Sequence, residues 1–177
     1  MKMAVAVFSL ASVIIACDQK SVEEASTTSE SVPLPMEVTY KGTPEIGSMK
    51  NVQTVMEWNK RVSALNLDVG DLLADTVTFH LADGLEMTAS RDSAIAFVKL
   101  YLAEISKVDL TYTAAVPVNN VDQNHEWVFS WTDETYTLKN GNVEHAFFHE
   151  DYRLEGGKIR EVFQYARKMA PPALAVK

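Results

Sequence analysis

The sequence predicts an α+β domain in which three N-terminal helices pack on one face of a curved antiparallel sheet. Three observations lead to this class. Apolar residues recur at helical spacing in the first half of the domain, and they alternate with polar residues in the second half. Turn signals join the alternating segments into consecutive hairpins. Helices that precede a run of antiparallel strands indicate a sheet covered by helices on one side.

The first helix is predicted from Met49 to Leu65. Val52, Val55, Met56, Val62 and Leu65 repeat at helical spacing, and Trp58 falls on the same stripe. A single apolar stripe of this kind indicates a helix that lies on a core with its other faces in solvent. The stripe therefore predicts that this helix packs against the sheet.

Two shorter helices are predicted next. Asp68 is placed as the cap of a second helix that runs through Leu73, with Asp71 in the position of a capping-box acid. Ser90 is placed as the cap of a third helix, and Asp92 in its first turn complements the helix dipole. The predicted buried stripe of the third helix comprises Ile95, Val98, Leu102 and Ile105.

The strands are predicted from alternation. TVTFHL forms a strand before the third helix, and Asp83 and Gly84 indicate a hairpin to LEMT. After the third helix come DLTYTAAVPV, HEWVFSWTDETYTL, VEHAFFHEDYRL and KIREVFQYARK. KNGN, from Lys139 to Asn142, and EGG mark the last two turns.

The N-terminus contains a predicted targeting signal. An apolar run of 13 residues ends at Cys17, the single cysteine of the chain, and is too short to span a bilayer. Residues 14–17, Ile-Ile-Ala-Cys, resemble a bacterial lipobox. The resemblance implies a signal peptide over residues 1–16, lipidation of Cys17, and a lipid-anchored protein in the bacterial cell envelope that faces the periplasm or the exterior. The alternative is a plain secretory signal with an unrelated cysteine.

Residues 17–48 are predicted to be a disordered tether, and residues 49–177 the folded domain. The tether is rich in Ser, Thr, Glu and Pro, and it has too few large apolar residues to offset the entropy cost of ordering. Alternatively, its PLPMEVTY portion packs on the domain as an extended arm. The net charge of −8 and the lack of a basic run argue against nucleic acid as a partner. The expected partner surface is the membrane, which the lipobox resemblance implies through the lipid anchor.

Two stretches carry a resemblance to a known family. NLDVGDLLADTVTFHLADG and HEDYRLEGGKIREVFQYAR resemble, in their order and spacing, the NTF2-like superfamily, which includes SnoaL-like polyketide cyclases and ketosteroid isomerases. The resemblance covers about Met49 to Met169. It implies a cone-shaped domain with a central apolar pocket, often dimeric through the open face of the sheet, so a homodimer is a candidate assembly.

The candidate catalytic group is Glu150. Side chains alternate along a strand, so Glu150 shares a face with Phe148, Tyr152 and Leu154, and it is the only carboxylate among these four residues. A carboxyl group that faces an apolar pocket has a raised pKa and can act as a general base or acid near neutral pH. In the SnoaL-like and isomerase families an acid or histidine often stands at this position. The alternative is that Glu150 faces solvent or pairs with a cation such as Arg160.

Five aromatic residues are candidates for the ligand-binding wall, and the alternative for each is a core position, where aromatic residues of amphipathic elements are more often found. They are Trp58, Trp127, Trp131, Tyr152 and Tyr165. His149 is a second catalytic candidate; otherwise it is a hydrogen-bonded structural histidine or a residue of the dimer face. His145 and His149 lie about 13 Å apart along one strand and cannot share one metal, so no metal site is predicted.

The sequence is consistent with two main functions. In the first, the domain binds a small apolar or amphipathic molecule, or mediates assembly, without chemistry. In the second, it is a lyase or isomerase that uses Glu150 for proton transfer. A purely structural dimer is a third possibility. The sequence contains no G-x-S-x-G, P-loop or dinucleotide fingerprint, and no cofactor is expected.

Overall fold

The structure is a computed structural model that describes residues 35–168, of which residues 39–168 belong to one compact unit. The elements are β1 (Pro44–Ile46), α1 (Met49–Ser63), β2 (Leu73–His80), β3 (Glu86–Ser90), α2 (Arg91–Tyr101), β4 (Ile105–Asn120), β5 (His125–Leu138), β6 (Val143–Glu155) and β7 (Lys158–Lys168). The predicted signal peptide, the predicted lipidation site Cys17 and most of the predicted tether lie outside the described residues. Within residues 35–168 no helix has the length and apolar character needed to cross a membrane.

The domain has two α-helices where the sequence predicted three. The segment after Asp68 forms only a 3-10 turn, Gly70–Leu72, which begins after Val69 and has no side-chain cap. Asp71 does not act as a capping-box acid, because its carboxylate accepts a hydrogen bond from Arg61 Nη1 at 2.7 Å. The turn ends at Leu72 because Leu73 already belongs to strand β2.

The sheet is mixed, not purely antiparallel. Its seven strands follow the order β1-β4-β5-β6-β7-β2-β3, and every neighbouring pair is antiparallel except β2 and β7. The parallel pair brings Leu73 beside Ile159 and Phe79 beside Val162. These four side chains are buried, so the pairing extends the apolar inner face of the sheet from the long C-terminal strands to the β2–β3 hairpin.

The core lies between the two helices and the inner face of the sheet. Ser48 caps α1 by accepting the Lys50 amide at 3.2 Å, and Ser90 caps α2 as predicted. Trp58 of α1, Phe79 of β2 and Phe97 of α2 form a continuous aromatic contact, with ring centroids 6.4 and 6.2 Å apart. Other buried core residues are Val52, Val55, Ala94, Val98, Val77, Val128, Tyr152, Leu154, Ile159 and Val162.

The folded unit begins before Met49. Strand β1 pairs with the end of β4, and the backbone amide of Thr43 donates to Asp122 Oδ2 at 2.8 Å. The Tyr40 hydroxyl accepts a hydrogen bond from Trp127 Nε1 at 3.0 Å. The chain from Thr39 to Ser48 therefore packs on the domain as an extended arm. This arm shares Thr39 and Tyr40 with the PLPMEVTY arm that the sequence left open as the alternative to a tether, and it continues to Ser48.

A glycine allows this arm to approach β4 closely. A Cβ atom on Gly42 would lie 1.9 Å from Asn120 Oδ1, whereas a Cβ atom on Gly70 would meet its nearest neighbours at 3.6 Å and 3.7 Å. We expect Gly42→Ala to displace the buried Asn120 side chain, which binds the Lys41 carbonyl and the Gln123 amide. The free energy of unfolding, measured by urea denaturation, should fall by about 1–3 kcal/mol. The control Gly70→Ala should leave it nearly unchanged, and equal losses in the two variants would contradict this account.

Candidate functional site

A cavity of about 100 Å³ lies between the two helices and the inner face of the sheet. Its aromatic lining is Trp58, Phe79, Phe97, Tyr101, Tyr136 and Tyr152. Its aliphatic lining is Val62, Leu81, Val98, Leu102, Val108, Leu110 and Val162, and its polar lining is Asn59, Ser63, Glu134, Glu150 and Gln164. Tyr101 is 52% exposed, so the end of α2 forms the side of the cavity that borders solvent.

Glu150 faces this cavity from the middle of β6. The residue is 7% exposed, and its two carboxylate oxygens accept separate hydrogen bonds. Oε2 accepts from the Tyr152 hydroxyl at 2.5 Å, and Oε1 accepts from Gln164 Nε2 at 3.0 Å. Burial, together with the nearby charge of Glu134, raises the pKa of Glu150 to about 7, although the bonds from Tyr152 and Gln164 favour the ionised form. The side chain is therefore poised to exchange a proton near neutral pH.

A hydrogen-bonded network accommodates both charge states of Glu150. The single hydroxyl proton of Tyr152 has two acceptors, Glu150 Oε2 at 2.5 Å and Asn59 Oδ1 at 3.0 Å. Asn59 in turn donates from Nδ2 to the Tyr112 hydroxyl at 2.8 Å. When Glu150 is ionised, the Tyr152 proton is directed to the carboxylate. When Glu150 is protonated, it can donate to the Tyr152 oxygen while the Tyr152 proton turns to Asn59.

Glu134 is a second buried carboxylate in the cavity, and it was not among the site residues predicted from the sequence. It is held by the Thr132 hydroxyl, which donates to Oε1 at 2.7 Å, and by the Tyr136 hydroxyl, which donates to Oε2. Burial raises the pKa of Glu134 as it does that of Glu150. Glu134 could have been found from the alternation of β5, because one face of that strand carries the polar residues Ser130, Thr132 and Glu134.

The structure divides the predicted aromatic wall between two faces of the sheet. Trp58 and Tyr152 line the cavity. The other three aromatic candidates, Trp127, Trp131 and Tyr165, do not line it. They lie on the outer face, because they alternate with the inward residues of β5 and β7.

His149 also lies on the outer face, away from the cavity. Its ring is 4.6 Å from that of Trp131, and its Nε2 atom lies 2.6 Å from Asp151 Oδ1. It therefore cannot act on a molecule in the cavity together with Glu150. The outer face is the one that the family resemblance associates with dimers, and the homodimer stays a prediction.

We expect Tyr152→Phe to destabilise the domain more at alkaline than at acidic pH. The hydroxyl of Tyr152 binds both Glu150 and Asn59 inside the protein, and the cost of losing a buried hydrogen bond to a charged group is about 1.5–3 kcal/mol. Because the bond to Glu150 lowers the pKa of that carboxyl, its loss raises the pKa further. Urea denaturation at about pH 5 and pH 8 should show the larger loss at pH 8. A loss independent of pH would contradict the role of Tyr152 in stabilising ionised Glu150.

The arrangement can act through its carboxylates, as an anchor for a ligand or as a general base. Within residues 35–168 no group of three or more histidine, cysteine, aspartate or glutamate side chains is placed to hold a metal ion. The carboxyl groups that line the cavity are Glu150 and Glu134, and Tyr152, Gln164 and Asn59 belong to the hydrogen-bonded network of Glu150.

Solved structures share this fold at low sequence identity. No protein-family model matches the sequence, and no curated protein is similar to it. A protein from Catenulispora acidiphila with a ketosteroid isomerase-like fold, in complex with trimethylamine, aligns with a TM-score of 0.53 and 22% identity over 64% of this chain and 84% of that one. An NTF2-like protein from Burkholderia pseudomallei aligns with a TM-score of 0.55 and 21% identity over 67% and 91% of the two chains.

A protein whose described activity is enzymatic shares the fold as well. An epoxide hydrolase from Mycobacterium tuberculosis aligns with a TM-score of 0.57 and 7% identity over 68% of this chain and 84% of that one. At these identities the structural alignments show a shared fold, and a shared fold does not determine the activity. This chain therefore has the NTF2-like fold.

Proposed function

We propose that this chain holds a small, largely apolar molecule in the cavity, with Glu150 as the polar group that orients it. The observation that carries the proposal is a carboxyl group, 7% exposed, in a cavity whose other walls are mainly aromatic and aliphatic. Small-molecule sites are typically concave and apolar, with a few convergent polar groups. The Catenulispora protein was crystallised in complex with trimethylamine, which supports small-molecule binding by a domain of this fold.

The proposal includes a membrane location, through a lipid on Cys17. The support comes from the sequence, in which Cys17 ends an apolar run of signal-peptide length. Several acyl chains on one residue anchor a protein firmly, because each buried methylene contributes about 0.8 kcal/mol. We expect Cys17→Ser to move the protein from the membrane fraction to the soluble fraction. An unmodified Cys17 thiol in membrane-bound protein, detected by mass spectrometry, would refute the anchor.

Ligand binding can be measured through Trp58, which lies in the cavity wall. The sequence has three tryptophans, so the double variant Trp127→Phe/Trp131→Phe leaves Trp58 as the only one. We expect the neutral probe 3,3-dimethylbutan-1-ol to change the fluorescence of Trp58 saturably, with a Kd of about 1 mM or tighter. A binding free energy of this size lies within the limit for a ligand with so few non-hydrogen atoms. A fluorescence change that is linear in probe concentration would count against a binding cavity.

A matched pair of variants on α1 tests whether the probe enters this cavity. Val62 lines it, whereas Met56, which the sequence placed on the buried stripe, is 41% exposed and is not among the lining residues. Val62→Phe should reduce the cavity volume and weaken binding at least about fivefold, a difference of roughly 1 kcal/mol. Met56→Phe should leave the Kd unchanged. Equal effects of the two substitutions would place the probe elsewhere.

A second candidate function is proton transfer on carbon. The specific observation that favours it is the pKa of about 7 for Glu150, in a cavity where Tyr152 is its hydrogen-bond partner. A carboxylate with such a pKa can take a proton from the carbon between a carbonyl group and a double bond, and return it to the far end of that double bond. No atom is gained or lost in this isomerisation, and the carboxylate is regenerated.

The probe for this activity is cyclohex-3-en-1-one, whose conversion to cyclohex-2-en-1-one is followed by ultraviolet absorption. If the chain is an isomerase, Glu150→Gln should reduce kcat by at least about 100-fold, the usual contribution of a general base. His149→Gln, on the outer face, should leave kcat unchanged. Saturable binding of the probe without conversion by the wild-type protein would leave ligand binding as the function.

A further inference from the structure

The cavity holds two carboxyl groups that have no cationic side chain beside them among the described lining residues. Both of its carboxylates, Glu134 and Glu150, are held by neutral donors, and none of the described residues that line the cavity is a lysine, arginine or histidine. Carboxylates elsewhere in the fold do have cationic partners. Glu161 accepts from Arg153 Nε at 2.7 Å, for example. The cavity is therefore the place where a positive charge supplied by a ligand would be stabilised most.

The burial of these two carboxylates costs free energy that a bound cation would offset. Desolvation is the largest cause that raises the pKa of each group, and the charge of Glu134 raises the pKa of Glu150 further. A positive charge between them favours the ionised form of both groups. Removing water from the charges also strengthens their attraction to such a ligand, since the cavity has a lower dielectric constant than the solvent.

The walls favour an organic cation over a metal ion. Six aromatic rings line the cavity: Trp58, Phe79, Phe97, Tyr101, Tyr136 and Tyr152. The faces of such rings attract alkylammonium groups, and aromatic cages are a recurrent site for them. Hard metal ions instead require six or more oxygen ligands, which two carboxylates in an apolar cavity do not supply. A volume of about 100 Å³ restricts the ligand to a few carbon atoms around the charge.

We propose that the ligand is a small alkylated ammonium ion, whose charge is neutralised by Glu134 and Glu150 and whose alkyl groups pack on the aromatic walls. This inference rests on the proposed function, because it requires that the cavity take a ligand. It adds the chemical class of that ligand. No bond is made or broken on binding, so the site is a recognition site for a cation.

The experiment compares two probes of the same shape that differ in charge. Choline carries a quaternary nitrogen where 3,3-dimethylbutan-1-ol has a carbon atom. Both are titrated into the double variant Trp127→Phe/Trp131→Phe, in which Trp58 reports on the cavity. At about pH 8 we expect choline to bind at least tenfold more tightly than its neutral analogue, which corresponds to about 1.4 kcal/mol.

The pH dependence of choline binding separates the role of the carboxylates from that of the rings. The titratable groups that face Glu150 are Glu134 and Tyr136 on β5, Tyr112 on β4, Tyr101 on α2 and Tyr152 on β6 itself. The pKa of each of these tyrosines is raised, so all four are neutral over the range tested. Choline keeps its charge at every pH. Its affinity should rise about tenfold from pH 6 to pH 8 as Glu150 ionises, while that of the neutral analogue should not rise.

Two substitutions complete the test. Glu150→Gln should abolish the pH dependence and most of the preference for choline, and Glu134→Gln should reduce that preference. The exposed control Glu144→Gln should change neither. Equal affinities of choline and its analogue in the wild-type cavity would overturn the inference and leave the proposed function standing. If neither probe binds saturably, the proposed function and the inference fail together.

Discussion

Replacement of Ile159 by alanine is expected to lower the free energy of unfolding by about 2–5 kcal/mol. Ile159 is 0% exposed and lies at the junction of two strand ladders, opposite Leu154 of β6 and beside Leu73 of β2. Both neighbours are themselves buried, so the surrounding side chains have little freedom to fill the space that the substitution leaves. Urea denaturation of the purified protein measures the effect.

The size of this effect can be tested by graded substitution. Ile159→Val removes a single methylene and should cost about 0.5–1.5 kcal/mol, so the variant should fold even if the alanine variant does not. Leu100→Ala is the control, because Leu100 is 75% exposed on α2 and substitutions at such positions change stability by about 0.5 kcal/mol or less. A loss at position 159 no larger than that at position 100 would contradict the packing described for β2 and β7.

Glu150→Gln is expected to stabilise the protein at alkaline pH. The free energy of unfolding of the variant minus that of the wild type should be about 3 kcal/mol larger at alkaline pH than at pH 4.5. The carboxyl of Glu150 has an ordinary pKa of 4.5 in the unfolded chain, and burial raises it to about 7 in the folded protein. Between these values the folded protein holds a proton that the unfolded chain has released. The wild-type free energy of unfolding therefore falls as the pH rises, and the loss is complete above the folded-state pKa.

Glutamine has no charge to lose over this range, so the difference between the two proteins should grow from about pH 4.5 and level off above about pH 7. Urea denaturation at several pH values gives this curve. Glu144→Gln is the control, since Glu144 is exposed at the start of the same strand and should give a difference that is nearly constant with pH. A flat difference for Glu150→Gln would show that the carboxyl is hydrated in the folded protein.

The fold could be predicted where the pattern was local. The Asp83–Gly84 turn is a hairpin, in which Asp83 Oδ1 accepts the Leu85 amide at 3.0 Å and Gly84 has a φ of 88°. Ser90 caps α2, and the four long C-terminal strands are present. The parallel pairing of β2 with β7 could not be read from the sequence, because the alternation in each strand is the same whichever direction its neighbour runs.

The site was only partly predictable for a related reason. Glu150 was identified because one carboxyl interrupted an apolar face. On β5 the aromatic residues Trp127 and Trp131 were the candidates for the cavity wall, whereas the face with Glu134 is the one that faces the helices. Large aromatic side chains indicate burial in general, and only the tertiary structure reveals that these two lie half-buried on the outer face while the polar side chains of β5 are buried on the inner face.

The parallel ladder between β2 and β7 has a consequence for how the protein folds. Each residue pair in this ladder, such as His80 and Phe163, is separated by more than 80 positions in the chain. Contacts between residues so distant along the chain slow folding, since the loop between them must be closed before the contact contributes any stability. The β2–β3 hairpin is synthesised before β7 and has no neighbour for the second edge of β2 until β7 follows. Until β7 has been synthesised and paired, the unpaired edge of this hairpin is a site at which the chain can aggregate.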